Sequence, residues 1–248
     1  MKTQLFNGRR AAGSGSVAPP RWLSAHSLGM AAFVRCRFKT MVWSTTLSVS
    51  RFVKRAIDIA ASAVLLGLLL PLFLIVAAAI KLESSGPILF RQTRVGQYGK
   101  LFSMWKFRSM YTDADARKQE LAESNNQPGG IRFKLRFDPR ITKVGRFIRR
   151  ASIDELPQLW NVFTGSMSLV GPRPPLPDEV NRYSQEQRKR LAAKPGITCT
   201  WQISGRADIP FEQQVQLDIQ YIASQSLGLD LRILFKTMPA VLSANGAY

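Results

Sequence analysis

The stretch Ile59–Ile80, IAASAVLLGLLLPLFLIVAAAI, runs for 22 residues without a charge. That is long enough to cross a hydrocarbon core about 30 Å thick. A helix this long and apolar on every face makes a poor core helix, so the chain is expected to insert into a membrane. Pro71 falls near the centre, where it deletes a backbone hydrogen bond and clashes with the carbonyl one turn back. Basic residues flank both ends, with Arg51, Lys54 and Arg55 before and Lys81, Arg91 and Arg94 after. The positive-inside rule therefore gives no contrast between the two sides. A centrally broken helix with cations at both ends suits a re-entrant hairpin over residues 51–82, both ends cytosolic, although a straight span stays open on this evidence. Asp58, about one turn after Lys54 and Arg55, is expected to pair with one of them at the interface.

The charge of the chain narrows its partners. There are 35 Lys+Arg against 16 Asp+Glu, a net +19. Residues 1–50 hold seven basic residues and no acidic one, so the remainder carries +12 by itself. Such a field attracts polyanions: nucleic acid, anionic lipid headgroups or phosphorylated small molecules. The apolar segment argues against a nucleic-acid role. Two cysteines, Cys36 and Cys199, and one histidine, His26, exclude a disulfide framework and a Cys/His zinc site. They also leave no Ser-His or Cys-His nucleophile system outside the N-terminal region. An enzyme built from this chain must work with carboxylates, Lys and Arg.

Residues 1–50, rich in Gly, Ser, Ala and Arg, read as a basic extension without structure. After the apolar segment, residues 83–248 read as a cytosolic domain with membrane-contacting helices. GPILFRQTRVGQYGKLFSMWKFRSM predicts two strands joined at GQYG. Residues 112–126 predict a polar helix, and DPRITKVGRFIRR predicts a turn and then a basic amphipathic helix. A helix follows SIDELPQLWNVFTGSM, and PDEVNRYSQEQRKRLAAKPG reads as one more, closed by Pro195-Gly196. ITCTWQISGR reads as a strand, and the last forty residues as two helices. The expected fold is α/β, mainly helical: a membrane-associated catalytic domain behind a re-entrant, Pro-broken membrane helix.

The chemistry concentrates at RRASIDELPQLWN, residues 149–161. Ser152-Ile153-Asp154-Glu155 matches a capping box, in which Ser and Glu satisfy each other's orphan amides. Pro157 sits badly in that box and better in a helix capped by Asp154. A residue that attacks phosphorus cannot also spend its oxygens on backbone amides, so Ser152 is the expected cap. A helix start is also a ready anion site. Arg149 and Arg150 approach it from one side, and Arg173 of GPRP can approach from another. Guanidiniums in excess over carboxylates suit a diphosphate. A carboxylate nucleophile must overcome repulsion between two anions, for which arginines and a divalent cation are the usual remedy.

The run SIDELPQLWNVFTGSMSLVGPRP resembles the signature of the bacterial sugar transferases, the monotopic polyprenyl-phosphate phosphoglycosyl transferases. KRAIDI, PILFRQTRVG, KFRSM, DPRIT, KPGIT, WQISGR, LDIQYI and DLRILFKT match in order, from about Lys54 to Tyr248. The resemblance implies transfer of a sugar-1-phosphate from a UDP-sugar to undecaprenyl phosphate with release of UMP, the first membrane step of exopolysaccharide, O-antigen or capsule synthesis. It implies Asp154 as the nucleophile of a covalent phosphosugar intermediate. Glu155, with Asp154 beside it, would hold Mg²⁺. Lys106, Arg108, Arg149, Arg173, Pro174 and Arg206 would line the phosphates and nucleotide, and Asp218 matches an acidic position near the site. The implied location is the bacterial inner membrane, in contact with lipid and with the site on the cytosolic face. A homodimer is compatible with this, and galactose or glucose is the expected sugar. Two departures stand out: Cys199 where Gly is usual after PGIT, and Leu70 before Pro71 where Ser is frequent. The rival reading is a non-catalytic membrane-anchored scaffold that binds polyanions, which has no need of Asp154-Glu155.

Overall fold

The computed structural model describes residues 30–114, 116, 138–205 and 209–243, with the backbone alone for 30–48 and 240–243. Residues 30–49 belong to one compact unit and Ser50 onward to a second, which carries everything discussed below.

Helix α1 spans Met30–Leu68 and α2 spans Leu70–Glu83. The expected featureless extension is thus corrected for residues 30–50, which are helical; residues 1–29 lie outside the described residues. No Gly or Pro falls between Gly29 and Gly67, so nothing in the sequence stops the helix earlier. Pro71 stands at the second position of α2, where its missing N–H is harmless to α2 but ends the ladder of α1. Over Val49–Glu83 the two arms bend by 59°. Among the described residues no single helix is long and apolar enough to cross a membrane, but this bent pair passes the test of length and composition together. Val64, Leu68, Leu70, Leu74 and Ile75 near the bend are all more than half exposed.

The elements that follow pack against the two arms. Strands β1 (Leu89–Val95) and β2 (Leu101–Phe107) form the expected antiparallel hairpin, with Val95 opposite Leu101 across the GQYG turn. DPRIT is a turn in which Arg140 is buried: Asp138 and Arg140 are paired at 2.6 Å, and Thr142 caps helix α3 (Lys143–Arg150) by accepting from the Gly145 amide. A 3₁₀ turn, Ile153–Glu155, leads into α4 (Gln158–Thr164). Strands β3 (Ser168–Val170) and β4 (Gly196–Thr198) pair in parallel. The single helix expected over PDEVNRYSQEQRKRL is instead α5 (Pro177–Asn181), α6 (Gln185–Arg188) and a 3₁₀ segment, Lys189–Ala192. Ser184 breaks it by starting a capping box of its own with Gln187. The expected strand ITCTWQISGR stops at Thr198, and Trp201–Ile203 is a 3₁₀ turn. Helices α7 (Phe211–Ala223) and α8 (Leu227–Ser243) complete the chain, as expected. The polar helix predicted over 112–126 lies almost wholly outside the described residues.

Two apolar clusters join the arms to the rest. Ala61, Leu65, Leu66 and Leu69 of the first arm pack on Met104, Leu159, Val162, Val170, Tyr221 and Ile233. Val76 and Ile80 of the second arm pack on Phe107 and Ile148, joined by Val144 and Ile153. The domain core is therefore incomplete without the hairpin.

The KRAIDI segment is where arm and domain lock. Asp58 was expected to pair with Lys54 or Arg55 and does not; it is buried and accepts from the Leu169 amide of β3. Lys54 instead binds Asp230 of α8 at 2.5 Å and donates to the Val170 carbonyl. Arg55 donates to the carbonyls of Val162 and Phe163 at the end of α4. Each charge finds a long-range partner because the arm lies against protein here, where an unpaired charge is costly.

Candidate active site

The site begins with a sharp reversal. After α3, the chain turns through Ser152, whose φ of 57° and ψ of 18° are left-handed and costly for a residue with a Cβ. Ser152 occupies the cap position, but its side chain caps nothing, so the expected capping box is not formed. Glu155, the other half of that box, reaches across to β2 and pairs with Lys106 at 2.6 Å. Asp154 does not cap the turn either. It is 6% exposed, pointing inward. The α4 helix starts only after Pro157, which resolves the misfit of that proline with the box.

Asn161 of α4 sets the distance between turn and strand. Its carbonyl oxygen accepts from the Trp105 amide and its amide donates to the Ser103 carbonyl, so α4 is stapled beside Lys106. From the other side comes the GPRP loop after β3. Gly171 donates to the Thr198 carbonyl, Gly196 donates to the Pro172 carbonyl, and Val95 donates to the Pro175 carbonyl. The backbones of Gly171 and Gly196 approach so closely that a Cβ on Gly196 would lie 2.1 Å from the Gly171 nitrogen. A loop pinned on three sides presents Arg173, half-buried, with little freedom.

The electrostatics divide the two carboxyls. Burial pushes the Asp154 pKa from 3.8 up to about 6; Lys106 and Arg149 oppose the rise and Glu155 adds to it. Burial works against Glu155 as well, but Lys106 and then Arg173 and Arg94 outweigh it and hold its carboxyl below the usual range. One carboxylate is thus firmly ionised and its neighbour is poised near neutrality, the separation of roles seen where environments push paired acids apart.

The expected residues do not all gather here. Lys106, Arg149 and Arg173 act on the carboxylates. Pro174 contributes its carbonyl, which accepts from Arg94 at 3.0 Å. Arg108 is turned to the end of α2, where it donates to the Ser84 and Ser85 carbonyls and the Ser84 hydroxyl. Arg150 is exposed on the outer side of α3. Asp218 is 1% exposed in an ion pair with the equally buried Arg190, whose guanidinium lies against the adjacent rings of Tyr183 and Phe211. Its role in this structure is to neutralise that guanidinium. Arg206 lies outside the described residues.

Arg94 is the residue that the sequence reading passed over. It is 5% exposed, is held by two hydrogen bonds to Gln92 and one to Pro174, and acts on Glu155. In the sequence it counted only as a flanking cation. Strand alternation places it on the face opposite the buried Val95, so the pattern gave no signal of its burial. Cys199, the departure from Gly, is benign to the backbone: among non-glycine described residues only Tyr98 and Ser152 have positive φ. The thiol is 2% exposed, and burial, with Asp218 next, pushes its pKa up and out of reach of reaction.

The donor set fits a magnesium ion in one particular way. Among the described residues no group of three or more His, Cys, Asp or Glu side chains converges. Two adjacent carboxylates, one of them destabilised by the other, suit the Mg²⁺ mode in which substrate phosphates and waters complete the octahedron. An all-protein cage is not what is built here.

Fold and site together define a class: a mainly helical domain assembled on a Pro-broken apolar hairpin, with a buried Asp154 and a partly exposed Glu155 facing cations. The chain belongs to the bacterial sugar transferase family, whose sequence profile matches residues 49–244. It is 51% identical over 166 residues to the galactosyl transferase CpsE of Streptococcus agalactiae, covering 66% of this chain and 37% of that protein. It is 45% identical over 202 residues to the undecaprenyl-phosphate galactose phosphotransferase of Salmonella typhimurium, covering 80% of this chain and 42% of that one. The UDP-glucose:undecaprenyl-phosphate glucose-1-phosphate transferase of Caulobacter vibrioides is 43% identical over 203 residues, 79% of this chain and 72% of its own length. The chain thus spans less than half the length of the first two relatives.

Proposed function

We propose that this protein transfers a hexose-1-phosphate, galactose or glucose, from a UDP-sugar to undecaprenyl phosphate and releases UMP. The observation that carries the reading is Asp154: a buried carboxylate, poised near neutrality, between Lys106, Arg149 and an ionised Glu155. A scaffold has no use for that costly arrangement. The names of the Salmonella and Caulobacter relatives supply the lipid acceptor and the sugars.

In the first step an Asp154 carboxylate oxygen attacks the sugar-bearing phosphorus of the diphosphate. The bond to the bridging oxygen breaks, and UMP leaves with the electron pair. In the second step a phosphate oxygen of undecaprenyl phosphate attacks the aspartyl-phosphosugar. The Asp154–phosphorus bond breaks and the carboxylate returns. Lys106, Arg149 and Arg173 neutralise the phosphate oxygens during both displacements, the main obstacle to attack by an anion. Bound to Glu155 and Asp154, Mg²⁺ would supply further charge neutralisation and polarise the phosphate oxygens. The bent helix pair inserts as a hairpin from the cytosolic face of the inner membrane, supported by the exposed apolar residues around the Pro71 bend.

The test is UMP release by membranes carrying the protein, with Mg²⁺, undecaprenyl phosphate and a panel of UDP-sugars. One hexose donor should turn over, and Asp154→Asn should abolish it. Silence with every donor, or full release by the variant, overturns the assignment. In the same membranes, cysteines placed at the exposed positions Arg51 and Lys81 should label from the same side. Labelling from opposite sides replaces the hairpin with a span.

A further inference from the structure

Helix α3 has two faces with different tasks. Inward, Gly145 and Ile148 are buried, Val144 and Ile148 pack on Val76 and Ile80 of the second hairpin arm, and Arg149 serves Asp154. Outward, Lys143, Arg146, Phe147 and Arg150 are all exposed. Their spacing, i, i+3, i+4 and i+7, places them in one row on the helix. Phe147 is 68% exposed, a large aromatic standing among three cations.

The hairpin fixes the height of this row. The Glu83 carboxylate, where α2 ends, accepts from the Lys143 amide at 2.6 Å and the Val144 amide at 3.0 Å. Those are orphan amides of the first turn, so the end of the arm shares the capping of α3 with Thr142. Next to Glu83, Lys81 is exposed and Leu82 is 89% exposed, which extends the patch. From Val76 to Glu83 the arm rises by about 10 Å at 1.5 Å per residue. A helix packed on that last stretch of arm lies at headgroup depth if the arm is in the membrane. Cations around projecting apolar side chains are the composition of a surface that docks on anionic lipid.

We infer that the Lys143–Arg146–Phe147–Arg150 row of α3 is a docking surface for an anionic bilayer, with Phe147 entering the headgroup region. The inference rests on the hairpin reading given above. Its occupant is a phospholipid surface and not a nucleic acid, because the row is continuous through Glu83 with the segment that would be in lipid. Docking would hold α3, and with it Arg149, at the level of the membrane where a lipid-borne acceptor arrives.

The experiment uses the full chain with Cys36→Ser and Phe147→Cys, labelled with an environment-sensitive fluorophore; Cys199 is buried and stays unlabelled. The protein is placed in vesicles of phosphatidylcholine alone or mixed with phosphatidylglycerol, each containing a lipid-borne quencher. Quenching should rise with the phosphatidylglycerol fraction and fall with salt. The Lys143→Gln, Arg146→Gln, Arg150→Gln triple variant should lose docking on the order of 100-fold, from roughly tenfold or less per cation. Equal quenching in both lipids, or an unchanged response in the triple variant, overturns the inference. So does protection of the label by RNA in place of anionic vesicles. Flotation with pure phosphatidylcholine vesicles separates the two readings: protein that fails to float indicts the hairpin, and protein that floats with charge-independent quenching indicts the α3 surface.

Discussion

Asp154→Asn separates what the carboxylate does for the reaction from what it costs the fold. Burial raises its pKa from 3.8 to about 6. The difference, roughly two units, corresponds to about 3 kcal/mol at 1.36 kcal/mol per unit. Below about pH 4 the carboxyl is protonated in the folded and unfolded chain alike, and the penalty is absent. Between about pH 4 and pH 6 the unfolded chain ionises while the folded one keeps its proton, so this group makes folding less favourable as pH rises. Above pH 6 the penalty is complete and constant. Asparagine, of nearly the same shape and without charge, escapes it.

The variant should therefore be inactive yet more stable, by about 3 kcal/mol at pH 7 and about half that at pH 5. For a domain of this size that is on the order of 6–12 °C in Tm at pH 7. Thermal unfolding in detergent with EDTA, at pH 5, 6, 7 and 8, reads the gap; UMP release reads the activity. A variant no more stable than wild type at pH 7 refutes the reasoning. So does a gap that fails to narrow towards pH 5, since the proton linkage demands it. Added Mg²⁺ should narrow the gap from the other side by stabilising the ionised wild-type site.

Lys106→Met removes the strongest pull on Asp154 and the partner of Glu155. The acid limb of UMP release, set by ionisation of Asp154, should move up by about 1–2 pH units in a pH–rate profile; a lower plateau with an unmoved limb would deny Lys106 this role. Asp218→Asn strands the Arg190 charge, 1% exposed, and should cost about 3–5 kcal/mol in denaturant unfolding. Arg190→Met with Asp218→Leu should recover most of that, and a wild-type midpoint for the single variant would refute the pairing argument.

How much of this was legible in the sequence depends on how local the cause is. The hairpin β1–β2, the Thr142-capped basic helix and the Pro71 break follow from turn residues, periodicity and a missing N–H, all of which act within a few residues. The candidate nucleophile and its neighbours were also legible, through the DE pair and the resemblance around it. What failed was whatever depended on a distant partner. SIDE reads as a capping box until Lys106, 49 residues away, claims the glutamate. Asp58 has two lysine and arginine neighbours in its own helix, yet it is satisfied by an amide 111 residues on. Arg108 carries the charge expected of a phosphate site and instead binds the carbonyls that follow α2, while Asp218 pairs with Arg190. A basic or acidic side chain announces its charge in the sequence but not which buried group it must neutralise.

That distinction recasts the KRAIDI segment. In the sequence its charges mark the edge of an apolar stretch. In the structure they carry position from the hairpin into the site. Arg55 binds the last carbonyls of α4, where a cation is favoured by the helix dipole, and shares the Val162 oxygen with the Gly165 amide. Gly165, with φ of 94°, closes that helix and leaves room for the guanidinium; a Cβ there would come within 3.0 Å of it. Three residues before Thr164 ends the helix, Asn161 clamps β2 at Ser103 and Trp105. The next residue of β2 is Lys106, which holds Glu155. Hairpin arm, α4, β2 and the carboxylate pair are thus joined by side-chain hydrogen bonds at every step. A hairpin that served only as an anchor could be tethered by any flexible linker. This one is bonded into the frame of the site, so the position of the arm and the position of Asp154 are set together.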